Sequence, residues 1–182
     1  MDVQSIIPLS IGVTGGILIA VIIVLVVFSA FFSMSETAFS STTDAKLRLL
    51  IEERKSGAKK ALQLASNFDK TLITLLIGNN IVNVLLSTLA VLFFGYLIQD
   101  NDTLLSVVST AVVTITILIF GEILPKVIAK QYPEAIAVKV AWPVYVIMLI
   151  LTPLVYFFLG IQKLFTRRQL KQRQLMRMSL VY

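Results

Sequence analysis

The sequence contains no cysteine and no histidine among its 182 residues. It therefore cannot form a disulfide bond, and it lacks the thiolate and imidazole ligands that zinc, copper and haem iron usually require. Cysteine nucleophiles and serine–histidine catalysis are excluded for the same reason. Any metal ion bound by this chain must be held by oxygen, which favours hard cations such as Mg²⁺, Ca²⁺, Mn²⁺, Na⁺ and K⁺.

Charged residues are also scarce. They make up 14% of the chain, whereas 57% of the residues are hydrophobic, and this balance is unusual for a soluble domain. Several apolar runs approach or exceed the ~20 residues that an α-helix needs to cross a bilayer, and they are continuous rather than alternating. The sequence thus predicts an all-α, multi-pass membrane protein. The plasma (inner) membrane is its expected location.

Three runs are interpreted as transmembrane helices. They cover residues 6–32, 71–98 and 103–123. The first helix is expected to loosen over residues 33–41, which are rich in small and hydroxyl side chains, and its Ser29 and Ala30 are expected to allow close helix packing. Between the first and second spans, residues 44–70 predict two short amphipathic helices at the cytoplasmic membrane surface.

A fourth apolar run, residues 140–161, is interrupted by Pro143 and Pro153. With three spans, all sixteen basic residues lie on one side, which the positive-inside rule assigns to the cytoplasm. This arrangement places the N-terminus outside and the C-terminus inside. The fourth run is then a proline-bent juxtamembrane hairpin or belt, although a fourth, kinked span remains open. Its aromatic residues are expected to act as interfacial anchors: Trp142, Tyr145 and Tyr156.

The net charge of +6 is interpreted through the membrane. Basic residues in a membrane protein report topology and contact with anionic lipid headgroups at the cytoplasmic face. A nucleic-acid partner is not expected.

The second span carries three asparagines within five residues. Asn79 and Asn83 are four residues apart and therefore share one helix face, whereas Asn80 points about 100° away. Two amide oxygens on one face can coordinate a cation. The alternative is interhelical hydrogen bonding, which is common for asparagine in membranes.

The third span carries a buried acid beside a proline. Pro125 has no N–H, and its ring collides with the carbonyl four residues earlier, which belongs to Gly121. A released carbonyl next to the Glu122 carboxylate would form half of a hard-cation site, as broken helices do in transporters. The alternative is a proline kink with an ion pair between Glu122 and Lys126.

Ser33 supplies a hydroxyl at the predicted end of the first span. The predicted metal ligands are thus Ser33, Asn79, Asn83, the carbonyl of Gly121 and Glu122. About six oxygens with one negative charge favour Mg²⁺ over Ca²⁺. Glu36 lies nearer the interface and is interpreted as a solvated or ion-entry residue. Thr110 and Thr114 share a face and are interpreted as packing hydroxyls rather than a Na⁺ site.

Three segments resemble the signatures of the CorC/CNNM (cyclin M) transmembrane domain. They are Ser33-Met-Ser-Glu-Thr-Ala-Phe39, Gly78-Asn-Asn-Ile-Val-Asn83 and Gly121-Glu-Ile-Leu-Pro-Lys126. The resemblance implies a homodimer that exports Mg²⁺ in exchange for Na⁺, with the five ligands above. It divides the chain into a membrane domain (1–165) and a basic linker (166–182) toward cytosolic CBS and CorC domains.

The family's animal members have a different residue at the position of Glu36, so Glu36 is not expected among the ligands. The leading hypothesis is a Mg²⁺ transporter working by alternating access. A Mg²⁺-sensing regulatory or scaffold module that moves no ions is the alternative. An enzyme is not expected, since no nucleophile motif accompanies the carboxylates.

Overall fold

The computed structural model describes residues 3–99 and 101–161, with side chains from Thr14 onward. All regular elements in these ranges are helical. A π-helical turn, Ile117–Ile123, joins the fifth helix to the sixth. In chain order the helices are α1 (Val3–Ser41), α2 (Asp44–Glu52), α3 (Ala58–Ser66), α4 (Phe68–Leu97), α5 (Asp102–Thr116), α6 (Leu124–Gln131), α7 (Pro133–Ile150) and α8 (Thr152–Ile161).

Helix α1 is the centre of the fold. It packs against α4, the π turn, α6 and α7. One buried apolar cluster joins α1 to α3, α4 and α7 and includes Phe32, Phe39, Leu75 and Val144. The outer faces of the long helices are apolar and exposed, as a lipid environment requires.

The prediction of an all-α membrane protein is confirmed. Within the described residues, four helical segments are long and apolar enough to cross a bilayer: Thr14–Ser41, Phe68–Leu97, Asp102–Gln131 and Pro133–Ile150. The predicted count of three spans is therefore not confirmed, because α7 qualifies by length and composition. The two short helices expected between the first two spans are present as α2 and α3.

The expected loosening of the first helix over residues 33–41 is wrong, because α1 continues to Ser41. The hydroxyl of Ser35 donates to the Phe31 carbonyl at 2.7 Å, and that of Ser40 donates to the Glu36 carbonyl at 2.8 Å. These hydroxyls are satisfied along the helix and do not disrupt it. The carbonyls near Ser33 thus remain within a continuous helix.

The third apolar run was expected to reach about residue 123, with Pro125 disturbing its end. A disturbance is present as the π turn, but the expected end is wrong. The helix continues through the π turn and α6 to Gln131. In the π turn the Leu124 N–H donates to the Ile119 carbonyl, five residues back. This change of register coincides with the missing N–H of Pro125, so the chain accommodates the proline without ending the helix.

The fourth apolar run, residues 140–161, is interrupted once, near Pro153, and not also at Pro143 as expected. Helix α7 passes through Pro143 and ends at Ile150, and α8 begins two residues later, just before Pro153. The expected break at Pro143 is wrong because the surrounding residues hold the helix against the core, with Ala141 and Val144 fully buried. The break near Pro153 is confirmed. The proposed linker, residues 166–182, lies outside the described residues.

Three lysines from the α2–α4 region contact the α7–α8 region at successive levels. The first makes an ion pair, and the other two lie over aromatic rings, where a cation is attracted by the π face. Lys46 Nζ lies 2.8 Å from Glu134 Oε1, Lys60 Nζ lies 5.0 Å and 3.7 Å from the ring centroids of Trp142 and Tyr145, and Lys70 Nζ lies 5.0 Å from that of Tyr156. The polar segment and α7–α8 therefore lie along one another.

Gly57 is where α3 meets α7. Its φ is +87°, in the left-handed region, and a Cβ at this position would lie 2.5 Å from the Val138 carbonyl oxygen. Only glycine fits both constraints.

We therefore predict that Gly57→Ala destabilises the protein by at least ~1–2 kcal/mol, the cost of a left-handed non-glycine residue. The matched control is Gly95→Ala, because Gly95 lies in α4 with open space around it. Thermal unfolding in detergent would measure both variants. Equal midpoints for the two variants would contradict this account of Gly57.

Candidate functional site

Helices α1 and α4 approach closely at the level of Gly78. The ring of Phe32, a buried residue of α1, occupies the space that a Gly78 side chain would need. This contact brings the polar face of α4 against α1. It explains physically why a glycine precedes the asparagines.

Ser29 lies at the centre of the resulting contact. It is 0% exposed, and its hydroxyl lies 2.7 Å from Asn83 Oδ1 and 3.3 Å from Asn79 Oδ1. The predicted pairing of Asn79 and Asn83 on one face is therefore confirmed, and both side chains meet the first helix.

This contact has more acceptors than protons. A serine hydroxyl carries one hydrogen, while each amide oxygen has two lone pairs. The shorter distance assigns the Ser29 proton to Asn83, and the Asn79 oxygen retains spare acceptor capacity. Two amide oxygens that face one hydroxyl in this way suit a bound cation, because hard cations are coordinated by oxygen.

Gly121 brings a third element to the same point. It is buried in the π turn, and a Cβ on it would lie 2.7 Å from Ser29 Oγ. A larger residue would push the π turn away from α1. The structure thus joins Asn79, Asn83 and Gly121 around Ser29.

Ser33 lies one helical turn beyond Ser29 on α1, on the same face. It is 0% exposed, and within the described part of the chain its hydroxyl has no hydrogen-bond partner. A buried hydroxyl without a partner costs free energy that a ligand would recover. This side chain is therefore available to a bound ion.

Glu122 follows Gly121 and is half-buried. Its side chain makes no hydrogen bond or ion pair with the other residues that the structure describes. No described hydrogen bond therefore joins it to the other four predicted ligands. The alternative ion pair with Lys126 is wrong, because Lys126 Nζ lies 3.6 Å from Glu36 Oε2 instead. This leaves the carboxylate of Glu122 without a described cationic partner.

Other polar residues of these helices lie elsewhere. Asn80 is exposed, and its amide nitrogen donates to the Leu76 carbonyl of its own helix at 2.8 Å. Thr110 and Thr114 are exposed on α5. Within the described residues, no group of three or more acidic side chains is gathered.

Ser29 lies at the centre of the candidate site, although the sequence predicted for it only a role in close helix packing. The spacing of the hydroxyl residues along α1 could have identified it. Ser29, Ser33 and Thr37 recur every four residues and all three are buried, so they form a polar stripe on α1 that matches the Asn79 and Asn83 stripe on α4.

We predict that Ser29→Ala destabilises the protein by about 0.6–2 kcal/mol, the range for interhelical hydrogen bonds in membranes. The control is Ser87→Ala, because the Ser87 hydroxyl is exposed and bonds only to the Asn83 carbonyl of its own helix. Detergent thermal unfolding would compare the two. An unchanged midpoint for Ser29→Ala would show that the contact between α1 and α4 does not depend on this hydroxyl.

The chain matches the family described as "Cyclin M transmembrane N-terminal domain" (CNNM) over residues 20–177. It is 33% identical over 139 residues to the UPF0053 inner membrane protein YfjD of Escherichia coli K12, covering 76% of this chain and 32% of that protein. It is 31% identical over 159 residues to the polyamine export protein of the same organism, covering 82% and 36%. The chain therefore spans about a third of each of these two relatives.

A third relative is a UPF0053 protein of Haemophilus influenzae, 36% identical over 120 residues, which covers 66% of this chain and 28% of that protein. The family match includes α4 to α8 and most of α1, and with them Ser29 and the predicted ligands. On this match, the chain belongs to the CNNM transmembrane domain family.

Proposed function

We propose that this domain transports Mg²⁺ by alternating access and exports it in exchange for Na⁺. The observation that carries the proposal is the pair of amide oxygens, from Asn79 and Asn83, that face the single hydroxyl proton of Ser29, completed by the unpartnered hydroxyl of Ser33. A dication would replace the missing protons, and the oxygens would replace its water shell. The domain is a carrier in this proposal and not an enzyme.

The ligand set consists of the side chains of Ser33, Asn79, Asn83 and Glu122 and the carbonyl of Gly121. Ser29 adds a further hydroxyl between the two amides. Mg²⁺ takes about six oxygen ligands. A single carboxylate neutralises only half of its charge, which keeps binding weak enough for release, as conduction requires.

The contacts of Lys60 support the proposed topology of three spans with the N-terminus outside. Lys60 contacts Trp142 and Tyr145, near the middle of α7. If α7 crossed the bilayer, the Lys60 ammonium group would lie near the bilayer centre, at a cost of roughly 2.5–3.5 kcal/mol or more. A belt lying along the cytoplasmic interface avoids this cost, and it leaves Trp142 and Tyr145 at the depth where such residues are enriched.

The proposed partners follow from the same arrangement and from the family. They are a second copy of the chain in a homodimer, anionic headgroups of the cytoplasmic leaflet, and cytosolic CBS and CorC domains of a longer protein. The alternative is a Mg²⁺-sensing scaffold that binds the ion and signals without moving it.

We predict that Asn79→Ala lowers Mg²⁺ efflux from loaded liposomes about 10-fold or more, since loss of a ligand weakens ion affinity at least as much as loss of a supporting contact does. The matched control is Asn80→Ala, because Asn80 is exposed and bonds to its own helix. Glu122→Gln should reduce efflux similarly.

Efflux by the parent protein alone, with no partner present, excludes the scaffold alternative. If Asn79→Ala and Glu122→Gln both transport Mg²⁺ out of the liposomes at the rate of the parent protein, the proposed site is wrong.

Polyamine export is a second candidate, because one relative is named a polyamine export protein. A polyamine carries several ammonium groups along a flexible chain and needs acceptors spaced along its path. The two acids of this region are Glu36, which is already paired with Lys126, and Glu122. The same liposomes loaded with spermidine separate the candidates, and spermidine efflux without Mg²⁺ efflux would favour the second.

We also predict the side of the membrane for three single-cysteine variants, which report without background because the chain has no native cysteine. Ser56→Cys and Ser179→Cys should react with an impermeant maleimide only from the cytoplasmic side, and Asn101→Cys only from outside. Reaction of Ser179→Cys from the outside would contradict the three-span topology and favour a crossing by α7.

A further inference from the structure

A basic groove of about 660 Å³ opens between the α2–α3 connection and α7, away from the candidate ion site. Four cationic residues and one acid line it, and a tryptophan forms part of its wall. These residues are Arg54, Lys55, Lys59, Lys60, Glu52 and Trp142. The groove thus carries an excess of positive charge beside an aromatic surface.

Most of this charge is not neutralised by the protein. Arg54, Lys55 and Lys59 are exposed, and their charged side chains make no hydrogen bond or ion pair with any other described residue. Lys60 differs, since its ammonium group donates to Gln63 Oε1 at 3.0 Å and lies over the Trp142 and Tyr145 rings. It helps to fix the aromatic wall, while the other three cations remain for an anion.

The backbone adds to the same field. Helix α3 starts at Ala58, directly after Gly57, which lines the groove, so the positive end of the helix dipole lies at the groove. No side chain caps this end. Gly57 holds this end against the Val138 carbonyl of α7, and Arg54, also with a positive φ of 57°, ends the preceding turn. Both left-handed residues keep the short α2–α3 connection tight. The cations therefore converge on one opening rather than spreading along an extended loop.

We propose that this groove binds the phosphate of an anionic phospholipid headgroup. The shared chemistry is a phosphate group, which a soluble phosphate compound could also supply. The lipid source is favoured because the groove wall itself presents an apolar surface: Trp142 lines the groove and is 57% exposed. The inference rests on the proposed topology, which puts α2 and α3 at the cytoplasmic leaflet, and it does not depend on the transported ion.

The test uses Trp142, the only tryptophan in the chain, as a reporter inside the groove wall. The full chain is reconstituted in vesicles that mix phosphatidylglycerol and phosphatidylcholine, with one of the two lipids brominated on its acyl chains. Quenching of tryptophan fluorescence then gives the relative association constant of the two lipids at Trp142. We expect phosphatidylglycerol to be preferred at least about fivefold, the factor for about 1 kcal/mol per basic residue at an anionic surface.

Arg54→Gln and Lys59→Gln should each reduce this preference by about fivefold. The charge-matched control is Lys130→Gln, an exposed lysine on α6 outside the groove, and it should keep the parent preference. Asn79→Ala should also keep it, so failure of Mg²⁺ transport and failure of lipid binding are separate outcomes.

Two results would overturn the inference. Equal association constants for the two lipids would show that no headgroup is selected. A preference abolished by millimolar inorganic phosphate at constant ionic strength would assign the groove to a soluble phosphate compound instead of a lipid.

Discussion

The candidate site depends on one hydroxyl proton, that of Ser29, which faces two amide oxygens. Ser29 offers a single proton to the amide oxygens of Asn79 and Asn83, and Ser33 has no described partner for its hydroxyl. In water this shortage would have no consequence, but in an apolar interior an unsatisfied polar group costs roughly 1–3 kcal/mol. In the proposed function a cation resolves the shortage, and transport follows if the same cluster opens to either side in turn.

Close packing by glycine makes this cluster possible. The Phe32 ring packs against Gly78, and the Ser29 hydroxyl packs against Gly121, so the absence of a side chain at each glycine lets α4 and the π turn approach α1 closely. The π turn sits where Pro125 removes a backbone donor, and π turns of this kind occur frequently at functional sites. Backbone irregularity is thus confined to the wall of a polar site, where a membrane protein can tolerate it.

Electrostatics separates the two polar regions of the molecule. Around Ser29 the proposed ligands are neutral apart from Glu122, whereas Lys46, Lys60 and Lys70 contact α7 and α8 through an ion pair and aromatic rings. Each lysine is held beside a carboxylate or a π face at the edge of the apolar body. This arrangement separates these lysines from the proposed ion site, where they would repel a dication, and places them where the proposed topology puts lipid headgroups.

The sequence predicted what depends on local spacing and missed what depends on contacts between distant helices. The shared face of Asn79 and Asn83 follows from a separation of four residues, and the all-α membrane class follows from continuous apolar runs. The pairing of Lys126 with Glu36 rather than Glu122 depends on how α6 lies against α1, which periodicity does not reveal. The continuation of α1 past Ser33 was missed because hydroxyl residues that weaken an isolated helix can bond to their own carbonyls.

The central claim is that the oxygens around Ser29 hold one divalent ion. Anomalous diffraction from crystals of the protein grown with Mn²⁺ in place of Mg²⁺ tests it most directly. The account predicts one strong anomalous peak between α1, α4 and the π turn, within bonding distance of the Asn79 and Asn83 oxygens and the Glu122 carboxylate. A map without a peak there, or with those three side chains directed to separate places, would contradict it.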